Sequence, residues 1–386
     1  MTSSKPQFDG QGVKLGDVAT YINGYAFKPA DYSLNGKQII RIQDLTGNAY
    51  QTNNFAGELD DKYLVSSGDV LISWSASLGV FEWNKEEAWL NQHIFKVVFN
   101  KLPVDKRYFI HQARYVINRG AMLAHGATMR HLTKKVFESL PFSYPNRSEQ
   151  LTIAKRLDDI QRQIYLAEKQ ISKLDSLVKS RFVEIFGDFA CYETKPLIKC
   201  VDCIEAGKSP KCLAFSRKMA EPGVLKLSAI SSGVYCENEN KALPRSVSLT
   251  IDKVVHANDI LLSRKNTPEL VGRSVLVKHT DGNIMFPDII FRMHPLPPIN
   301  AMYLSYLLAG PLLHSIQSLA HGSAKSMSNI PKSELAKLSI PIPALNLQNE
   351  FANFVSQVDK SRFVAQQQIE KLQMLYDSLA QEYFGD

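Results

Sequence analysis

Two stretches of this sequence contain parts of the motifs that nucleotide-driven enzymes and nucleases use. Gly207-Lys208-Ser209 has the ending of a phosphate-binding loop, but Asp202 stands where the first glycine of that loop belongs. Pro287-Asp288 could begin a metal-dependent nuclease motif, but no Asp/Glu-x-Lys follows it. The glycine-rich cofactor turn of an amino-methyltransferase is also missing, and Leu296-Pro297-Pro298-Ile299 does not fit its Pro-Pro-aromatic tetrapeptide. The sequence therefore predicts a chain that carries none of these three catalytic sites.

The cysteines could form a metal site. Cys200 and Cys203 have the spacing of zinc ligands, and Cys191 and Cys212 are nearby. In the internal repeat described below, however, Cys200 falls opposite the apolar Val18. We therefore interpret these residues as core cysteines and predict no metal site.

The distribution of charge indicates a polyanionic partner. The 386 residues carry 45 Lys and Arg against 38 Asp and Glu, a formal net charge of +7. Residues 191–340 carry a net +6 and residues 1–140 a net +3, whereas residues 341–386 carry −3. A basic surface confined to some segments is typical of nucleic-acid-binding proteins. Because no apolar run is long enough to span a membrane and the five cysteines are an odd number, we expect a cytoplasmic protein.

The chain contains an internal repeat with a period near 200 residues. Four pairs of segments carry it: Phe186-Gly187-Asp188 and Phe384-Gly385-Asp386, Ala124-His125-Gly126 and Ala320-His321-Gly322, Asp69-Val-Leu-Ile-Ser73 and Asp259-Ile-Leu-Leu-Ser263, and Ile94-Phe95-Lys96 and Ile290-Phe291-Arg292. No nucleophile or carboxylate accompanies the repeated histidines, so we interpret them as turn residues. The repeat predicts two copies of one module, each a basic domain followed by a tail.

Each tail has uninterrupted heptad periodicity. Apolar residues recur at alternating steps of four and three over 153–185 and 351–383, with Arg181 and Arg362 as polar seam positions. We predict two helices of about 38 residues, ~55–60 Å long, which pair with each other rather than pack on separate cores. The two arginines should help to fix the register. The seam candidates are Leu157, Ile160, Ile164, Ile171, Leu174, Val355, Val358, Ile369, Leu372 and Tyr376.

The basic segments have a mixed pattern of short strands and helices. Runs typical of strands occupy residues 39–42, 70–72, 94–99, 225–227 and 275–277, and helical patterns occupy 108–118 and 302–319. Polar and aromatic residues crowd the loops between the strands.

This organisation resembles the specificity (S) subunit of Type I restriction–modification systems. Residues 13–18, Val-Lys-Leu-Gly-Asp-Val, look like the opening of a target recognition domain, and residues 68–73 and 258–263 look like its Gly/Asn-Asp-apolar-Ser strand. Residues 140–153, with their prolines followed by Glu-Gln and Ile, look like the segment that leads into the conserved helix. The second copy keeps the prolines but has Leu347 where the first has Glu149. The resemblance covers nearly the whole chain.

The repeat, the heptads and the resemblance together predict an α+β fold with an internal pseudo-twofold duplication. Two mixed α/β target recognition domains, residues 1–145 and 189–343, would be separated by a long antiparallel two-helix coiled coil formed by spacer helices 146–188 and 344–386. The resemblance implies a non-catalytic chain that reads a bipartite, asymmetric target in double-stranded DNA. The partners would be two modification (M) subunits and restriction (R) subunits. S-adenosylmethionine, ATP and Mg are expected on those partners, and no cofactor in this chain.

Side-chain chemistry selects the residues that would contact DNA, because Asn and Gln suit adenine edges and Arg and Lys suit guanine. The base-reading candidates are Gln43, Ser73, Trp74, Asn91, Gln92 and His93 in the first domain, and Ser228, Arg264, Lys265, Asn266 and Asp288 in the second. The phosphate-contact candidates are Arg41, Arg130, Lys134, Lys208, Lys226, Lys325 and Lys332. Phosphate contacts position the protein without specifying sequence.

Two other classes of function are compatible with the sequence. One is a specificity subunit for a different effector, or a standalone DNA-binding regulator. The other is a coiled-coil adaptor whose basic segments bind protein instead of DNA.

Overall fold

The computed structural model describes residues 13–47, 51–75, 77–123, 133–322 and 327–385. It divides into unit 1, residues 1–170 with 365–386, and unit 2, residues 171–364. The predictions for His125, Arg130 and Lys325 lie outside the described residues.

Unit 1 contains two four-stranded sheets. Its strands are β1 Thr20–Asn23, β2 Lys37–Ile40, β3 Asn54–Phe55, β4 Leu64–Val65, β5 Val70–Ser73, β6 Gly79–Glu82, β7 Ala88–Leu90 and β8 Ile94–Val98, and its helices are α1 Leu15–Val18, α2 Ile42–Thr46, α3 Lys106–Leu123, α4 Lys134–Glu138 and the first part of α5 Arg147–Phe186. One sheet is antiparallel with the order β1-β8-β5-β6. The other has the order β3-β2-β7-β4, and its β2 and β7 are parallel.

Unit 2 has the same sheet plan. Its strands are β9 Thr194–Pro196, β10 Glu205–Ala206, β11 Gly223–Leu225, β12 Asn240–Ala242, β13 Ile260–Ser263, β14 Lys265–Asn266, β15 Ser274–Leu276, β16 Ile284–Met285, β17 Ile290–Met293, β18 Ser328–Asn329 and β19 Ser339–Pro341. Its helices are α6 Ser228–Ser231, α7 Ala301–Ala309, α8 Leu313–Ser318, α9 Lys332–Ala336, the last part of α5 and the first half of α10 Leu345–Phe384. An antiparallel sheet has the order β10-β17-β13-β15, and β12-β11-β16 contains the parallel pair of β11 and β16. The antiparallel sheets match strand for strand, whereas the second sheet has three strands here and four in unit 1, where β4 pairs with β7.

Equivalent cations tie the equivalent strands together. Lys96 on β8 donates to the carbonyl oxygen of Leu64 at 2.7 Å, and Arg292 on β17 donates to that of Val254 at 2.6 Å. The sequence repeat aligns Lys96 with Arg292. Each cation is therefore engaged in a structural hydrogen bond within its own unit.

A buried glutamine begins each long helix in the same way. Gln150 accepts a hydrogen bond from the backbone N–H of Asp105 at 2.9 Å and donates to the Pro145 carbonyl at 2.9 Å. Gln348 accepts from Asn300 N–H at 2.9 Å and donates to the Pro343 carbonyl at 2.8 Å. Both amides are almost fully buried, so each satisfies backbone groups that water cannot reach.

The repeated Phe-Gly-Asp segments place the last aromatic residue of each long helix in a core. Phe384, at the end of α10, packs against Tyr108 of α3 with ring centroids 5.6 Å apart. Phe186, at the end of α5, packs against Tyr303 of α7 at 4.7 Å. Gly187 ends α5 in the left-handed conformation, with φ of +53°, where glycine avoids the strain that a Cβ causes.

The two long helices run antiparallel. In unit 1, Arg156 near the start of α5 donates to the Tyr383 hydroxyl near the end of α10 at 2.9 Å. In unit 2, Arg181 near the end of α5 pairs with Glu350 near the start of α10 at 2.6 Å. The second polar seam residue, Arg362, pairs with Asp175 across the helices. Both seam arginines therefore fix the register by ion pairs to the facing helix.

Every seam candidate is buried or half-buried, and Leu157 belongs to the core of unit 1 while Val355 and Val358 belong to that of unit 2. Leu157, Ile160, Val355 and Val358 are buried, and the other members are half-buried: Ile164, Ile171, Leu174, Ile369, Leu372 and Tyr376. The prediction of a mixed fold with a long helix between sheet-containing segments is confirmed.

Several predicted element boundaries were wrong. The predicted helix over 302–319 is two helices, because Gly310 and Pro311 interrupt it after α7. The strands predicted at 39–42 and 225–227 end at Ile40 and Leu225, where the chain turns into the short helices α2 and α6. Ile42 and Leu227 in these turns pack against the core. The apolar pattern in the sequence therefore continues for two residues after each strand has ended.

Candidate nucleic-acid interface

Three segments of each unit meet at one edge of its antiparallel sheet, and we call them the loop edge of that unit. In unit 1 they are residues 24–25, Trp74 and residues 91–93. In unit 2 they are residues 207–209, Arg264 and residues 287–289. The same backbone contacts assemble both edges: Tyr25 N–H donates to the Leu90 carbonyl at 2.8 Å, and Lys208 N–H to the Phe286 carbonyl at 3.0 Å.

A glycine is required in the first segment of each edge. A Cβ on Gly24 would overlap the backbone of Asn91, and a Cβ on Gly207 would overlap the carbonyl oxygen of Phe286. Gly207-Lys208-Ser209 is therefore a backbone crossing and not part of a phosphate-binding loop. The crossing brings Lys208 and Ser209 to the edge.

The second segment presents a planar side chain on the same support in both units. The ring of Trp74 stacks on Phe95, with centroids 5.7 Å apart and planes at 22°. The guanidinium of Arg264 lies over the ring of Phe291, 5.2 Å from its centroid. Since Phe95 and Phe291 are equivalent in the repeat, one scaffold position carries an indole in unit 1 and a guanidinium in unit 2.

Aromatic and amide groups form the loop edge of unit 1. The exposed His93 ring lies 5.6 Å from the Trp74 ring, and its Nε2 is 3.4 Å from Nε2 of Gln92. Asn91 accepts a hydrogen bond from His93 N–H at 3.4 Å. Gln43 lies in α2, which follows β2, and parallel β2 and β7 end at the same edge. The structure thus brings Trp74, Asn91, Gln92 and His93 together. Gln43 lies in the helix that follows β2, the strand next to β7.

Charged groups form the loop edge of unit 2. The half-buried Asp288 carboxylate accepts a hydrogen bond from the Ser209 hydroxyl. Arg264 donates through Nη1 to the Asp288 carbonyl oxygen at a long 3.4 Å. Lys265 continues from Arg264 into β14 and is half-buried. The loop edge of unit 2 is therefore formed by lysine, arginine, serine and aspartate. The loop edge of unit 1 is formed by tyrosine, tryptophan, histidine and two amide side chains.

Two predicted base-reading residues turn their polar groups inward. Ser73 is fully buried, and its hydroxyl donates to the carbonyl oxygen of Ser77 in the following turn. Asn266 is 6% exposed and donates to the Ser263 hydroxyl at 3.3 Å. Both residues shape the loop beside the planar side chain, because their hydrogen bonds close that turn on itself.

Ser228 and Lys226 already bind an anion within the protein. The Ser228 hydroxyl donates to Oε2 of Glu239 at 2.6 Å, and Lys226 Nζ lies 3.3 Å from the same oxygen. Both contacts lower the pKa of the Glu239 carboxyl, and the Ser228 hydrogen bond has the larger effect. Arg41, at the equivalent place in unit 1, lies over the Tyr32 ring at 4.8 Å.

The other predicted phosphate contacts are on the surface. Lys208, Lys134 and Lys332 are exposed. Lys134 and Lys332 are the first residues of the equivalent short helices α4 and α9, and Lys134 pairs with Glu138 only at 3.7 Å. Their placement leaves the ammonium groups accessible to a polyanion.

The cysteines have no metal-binding arrangement among the described residues. Those residues contain no group of three or more His, Cys, Asp or Glu side chains that could hold a metal ion. Burial raises the pKa of the Cys200 thiol, whereas metal ligation needs a thiolate. Within the same residues, no helix is long and apolar enough to cross a bilayer.

Sequence reasoning missed three residues of this surface. Tyr25 is 36% exposed at the loop edge of unit 1 and packs against Phe27 and Tyr63. Ser209 binds Asp288, and Glu239 binds the predicted Ser228 and Lys226. Only Tyr25 had a usable signal, namely the preceding Gly24 at a strand end. The Ser209 contact joins residues 79 positions apart, and the Glu239 contacts span 11 and 13 positions, so no local pattern marks either residue.

Comparisons with known proteins agree with this architecture. Residues 9–176 match the family described as Type I restriction modification DNA specificity domain. The sequence is 22% identical to the Type I restriction enzyme EcoBI specificity subunit of Escherichia coli, over 90% of this chain and 78% of that protein. It is 34% identical to the Escherichia coli EcoEI specificity subunit over 148 residues, 38% of this chain and 25% of that protein.

A solved structure shares the fold. The Type I restriction–modification S subunit from M. genitalium superposes with a TM-score of 0.51 at 13% identity, covering 100% of this chain and 98% of that one. The matched domain covers unit 1's sheets and much of α5, and the EcoBI alignment, at 90% of the chain, extends into unit 2. Residues 9–176 of this chain therefore form a Type I restriction modification DNA specificity domain, and the chain is similar to Type I specificity subunits over about nine-tenths of its length.

Proposed function

We propose that this chain reads a bipartite, asymmetric DNA target, with one half-site contacted by each loop edge. The observation that carries the proposal is the pair of equivalent scaffolds with different side chains. The two edges are built on equivalent strands and on equivalent phenylalanines, Phe95 and Phe291. At the equivalent position above them, unit 1 has Trp74 and unit 2 has Arg264. Identical supports with different reading groups predict two half-sites of different sequence.

The side chains suggest what each edge reads. The unit 1 edge offers Asn91 and Gln92, whose amides can pair with adenine, and Trp74, whose apolar ring can contact a thymine methyl group. The unit 2 edge offers Arg264 and Lys265, which can donate to the O6 and N7 atoms of guanine. We therefore propose an A·T-rich first half-site and a guanine-containing second half-site.

Lys208 in the loop edge of unit 2 and basic residues outside the two edges supply contacts to phosphates. Lys208, Lys134 and Lys332 are exposed, and Arg41 is half-buried against Tyr32. We also assign Arg130 and Lys325 to this role from the sequence. These contacts strengthen binding to all DNA sequences alike and make it depend on salt.

The long helices offer surfaces for partner subunits. In unit 1, Tyr165 and Leu166 of α5 are more than half exposed, and in unit 2 the same holds for Phe363 and Val364 of α10. Adjacent exposed apolar residues on a helix are typical of protein interaction sites. We propose that two M subunits dock on these helices and that R subunits join the complex in the cytoplasm.

In this proposal the chain itself does no chemistry. S-adenosylmethionine belongs to the M subunits, and ATP and Mg belong to the R subunits. The residues that resembled catalytic motifs have other contacts: Gly207 forms a backbone crossing and Asp288 binds Ser209. Methyl transfer or ATP hydrolysis by the rigorously purified chain alone would contradict this assignment.

Methylome sequencing tests the proposal directly. The chain is expressed with its M subunit in a host that lacks other adenine methyltransferases, and methylated positions are mapped. We expect one motif made of two different defined half-sites separated by unspecified bases. A continuous motif, a palindromic motif or no new methylation in the presence of an assembled complex would refute bipartite asymmetric reading.

A further inference from the structure

Helices α3 and α7 are equivalent elements, and their alignment is fixed by contacts. Asp105 caps α3 through a hydrogen bond from Tyr108 N–H at 3.1 Å, and Asn300 caps α7 through one from Met302 N–H at 2.9 Å. The hydroxyls of Tyr108 and Tyr303 donate to the carbonyl oxygens of Ser143 and Pro341, each at 2.9 Å. A constant offset of 195 residues therefore relates the two helices.

In unit 1, polar side chains fill the space between α3, the sheet edge and the long helix. Arg114 donates through Nε to the carbonyl oxygen of Val80 on edge strand β6 at 3.1 Å, and through Nη1 to Gln161 at 3.3 Å. His111 and Arg107 bind the Asp158 carboxylate at 2.8 and 3.1 Å. This face of α3 is occupied by its own arginines and histidine.

In unit 2, the same helix face is apolar and borders an open cleft. Met302, Tyr306 and Ala309 stand at the positions of Arg107, His111 and Arg114. They line a cleft of about 590 Å³ between α7, edge strand β15 and the two long helices. Cavities of roughly 300–1,000 Å³ with a mostly apolar lining are the usual size for small-molecule sites. Alanine thus lines the cleft at the position where unit 1 has the arginine that covers its edge strand.

Three polar groups of the cleft, on Ser274, Tyr235 and Arg362, have no hydrogen-bond partner among the described residues. The Ser274 side chain is 2% exposed, and its hydroxyl oxygen has no hydrogen-bond partner there. The pairing of Leu262 with Ser274 and of Ile72 with Val80 puts Ser274 at the edge position that Arg114 covers in unit 1. Nε of Arg362, which also lines the cleft, is buried and likewise unpaired. Buried unpaired donors are destabilising and favour an occupant with an acceptor.

The charged side chains of the cleft neutralise one another. Arg362 pairs with Asp175 and, at 2.6 Å, with Asp359, and Asp359 also pairs with Lys278. Two cations thus face two carboxylates. An anionic ligand would lie beside the carboxylates and a cationic ligand beside the two cations, so the wall favours an uncharged occupant.

We propose that this cleft in unit 2 binds an uncharged small molecule with an apolar body and a carbonyl or hydroxyl oxygen. The apolar body packs on Met302, Ala309 and Ile171. The oxygen accepts hydrogen bonds from the Ser274 hydroxyl and from Nε of Arg362. In unit 1, Arg114 covers the corresponding edge strand, so we expect no equivalent binding there.

Methyl NMR of the full chain, labelled with 13C-methyl methionine, tests the proposal. The probe is acetanilide, an uncharged aromatic ring with an amide carbonyl, and benzoate and benzylammonium serve as charged probes of similar size. We expect a saturable shift of the Met302 methyl signal with acetanilide and at least severalfold weaker shifts with the charged probes. Met219, which is 98% exposed outside the cleft, should not respond.

Matched variants locate the binding. Ala309→Arg supplies the side chain that fills the equivalent space in unit 1 and should abolish the Met302 response, whereas Ser315→Arg adds the same charge on the exposed side of α8 and should retain it. Ser274→Ala should weaken acetanilide binding about three- to tenfold while leaving the fold at least as stable. A Met302 signal that acetanilide does not shift, equal binding of all three probes, or full binding by a folded Ala309→Arg protein would overturn the proposal.

Discussion

Replacing Arg264 by methionine should relax the reading of one DNA half-site and leave the other unchanged. Methionine keeps an unbranched chain that can lie over Phe291, but it removes the guanidinium donors. Among the described residues, Nε of Arg264 has no partner and Nη1 makes only the 3.4 Å bond to Asp288. Most of the guanidinium's hydrogen-bonding capacity is therefore not committed to the fold.

The expected magnitudes separate recognition from folding. The cation–π contact with Phe291 and the long hydrogen bond together stabilise the loop by about 1 kcal/mol or a little more. A bidentate contact with guanine contributes ~1–3 kcal/mol of discrimination, which corresponds to about 5- to 150-fold in affinity. The substitution should thus cost more in specificity than in stability.

Methylation mapping with the M subunit measures the effect. In Arg264→Met, the motif should accept other bases at a guanine position of one half-site, with the second half-site still fully specified. Trp74→Met is the matched control, since it changes the equivalent position of unit 1 and should affect only the opposite half-site. If the folded Arg264→Met protein keeps both half-sites fully specified, or degrades both equally, the assignment of Arg264 as a base reader is wrong.

Three further predictions concern binding, folding and pH. Lys208→Gln should reduce the slope of log K against log salt by about 0.9 without changing the recognised sequence, as salt titrations on specific and random DNA would show. Gln348→Leu should leave two buried backbone groups unpaired and destabilise unit 2 by about 2–4 kcal/mol, and Gln150→Leu should do the same in unit 1, each seen as faster hydrogen exchange in that unit alone. Burial lowers the pKa of His111 against the opposing Asp158 hydrogen bond, so the folded protein favours the neutral ring. Unit 1 should therefore keep its full stability above about pH 6.5 and lose part of it on acidification below that value. Hydrogen exchange measured at pH 7.5 and 5.5 should show this loss in the parent protein and not in His111→Gln.

The long helices were predictable because their signal is local. A heptad pattern is written into one continuous stretch, and its period of 3.5 residues specifies both the helix and a partner surface. The structure gives α5 and α10 as Arg147–Phe186 and Leu345–Phe384, within two residues of the predicted ends. The repeated phenylalanines were visible in the sequence, but their packing on Tyr108 and Tyr303 was not.

The candidate interface was predictable only in part. Trp74, Asn91, Gln92 and His93 come together because antiparallel strands return the chain to the same sheet edge. Residue type alone did not distinguish Asn266, which closes a turn, from Arg264, whose planar group is stacked and largely uncommitted. Solvent exposure depends on strand register and on contacts across tens of residues, and neither is encoded in a local pattern.

The sequence by itself determined that this protein is a duplicated module with two long paired helices, basic segments and no recognisable catalytic motif. Those features depend on residue type and on spacing along the chain. The tertiary structure alone decided that Ser209 belongs to the loop edge of unit 2, that Ser73 turns inward, and that Ala309 lines a cleft. The physical reason is that these properties arise from non-local packing, in which the partners of a side chain are chosen by the fold and not by its neighbours in sequence.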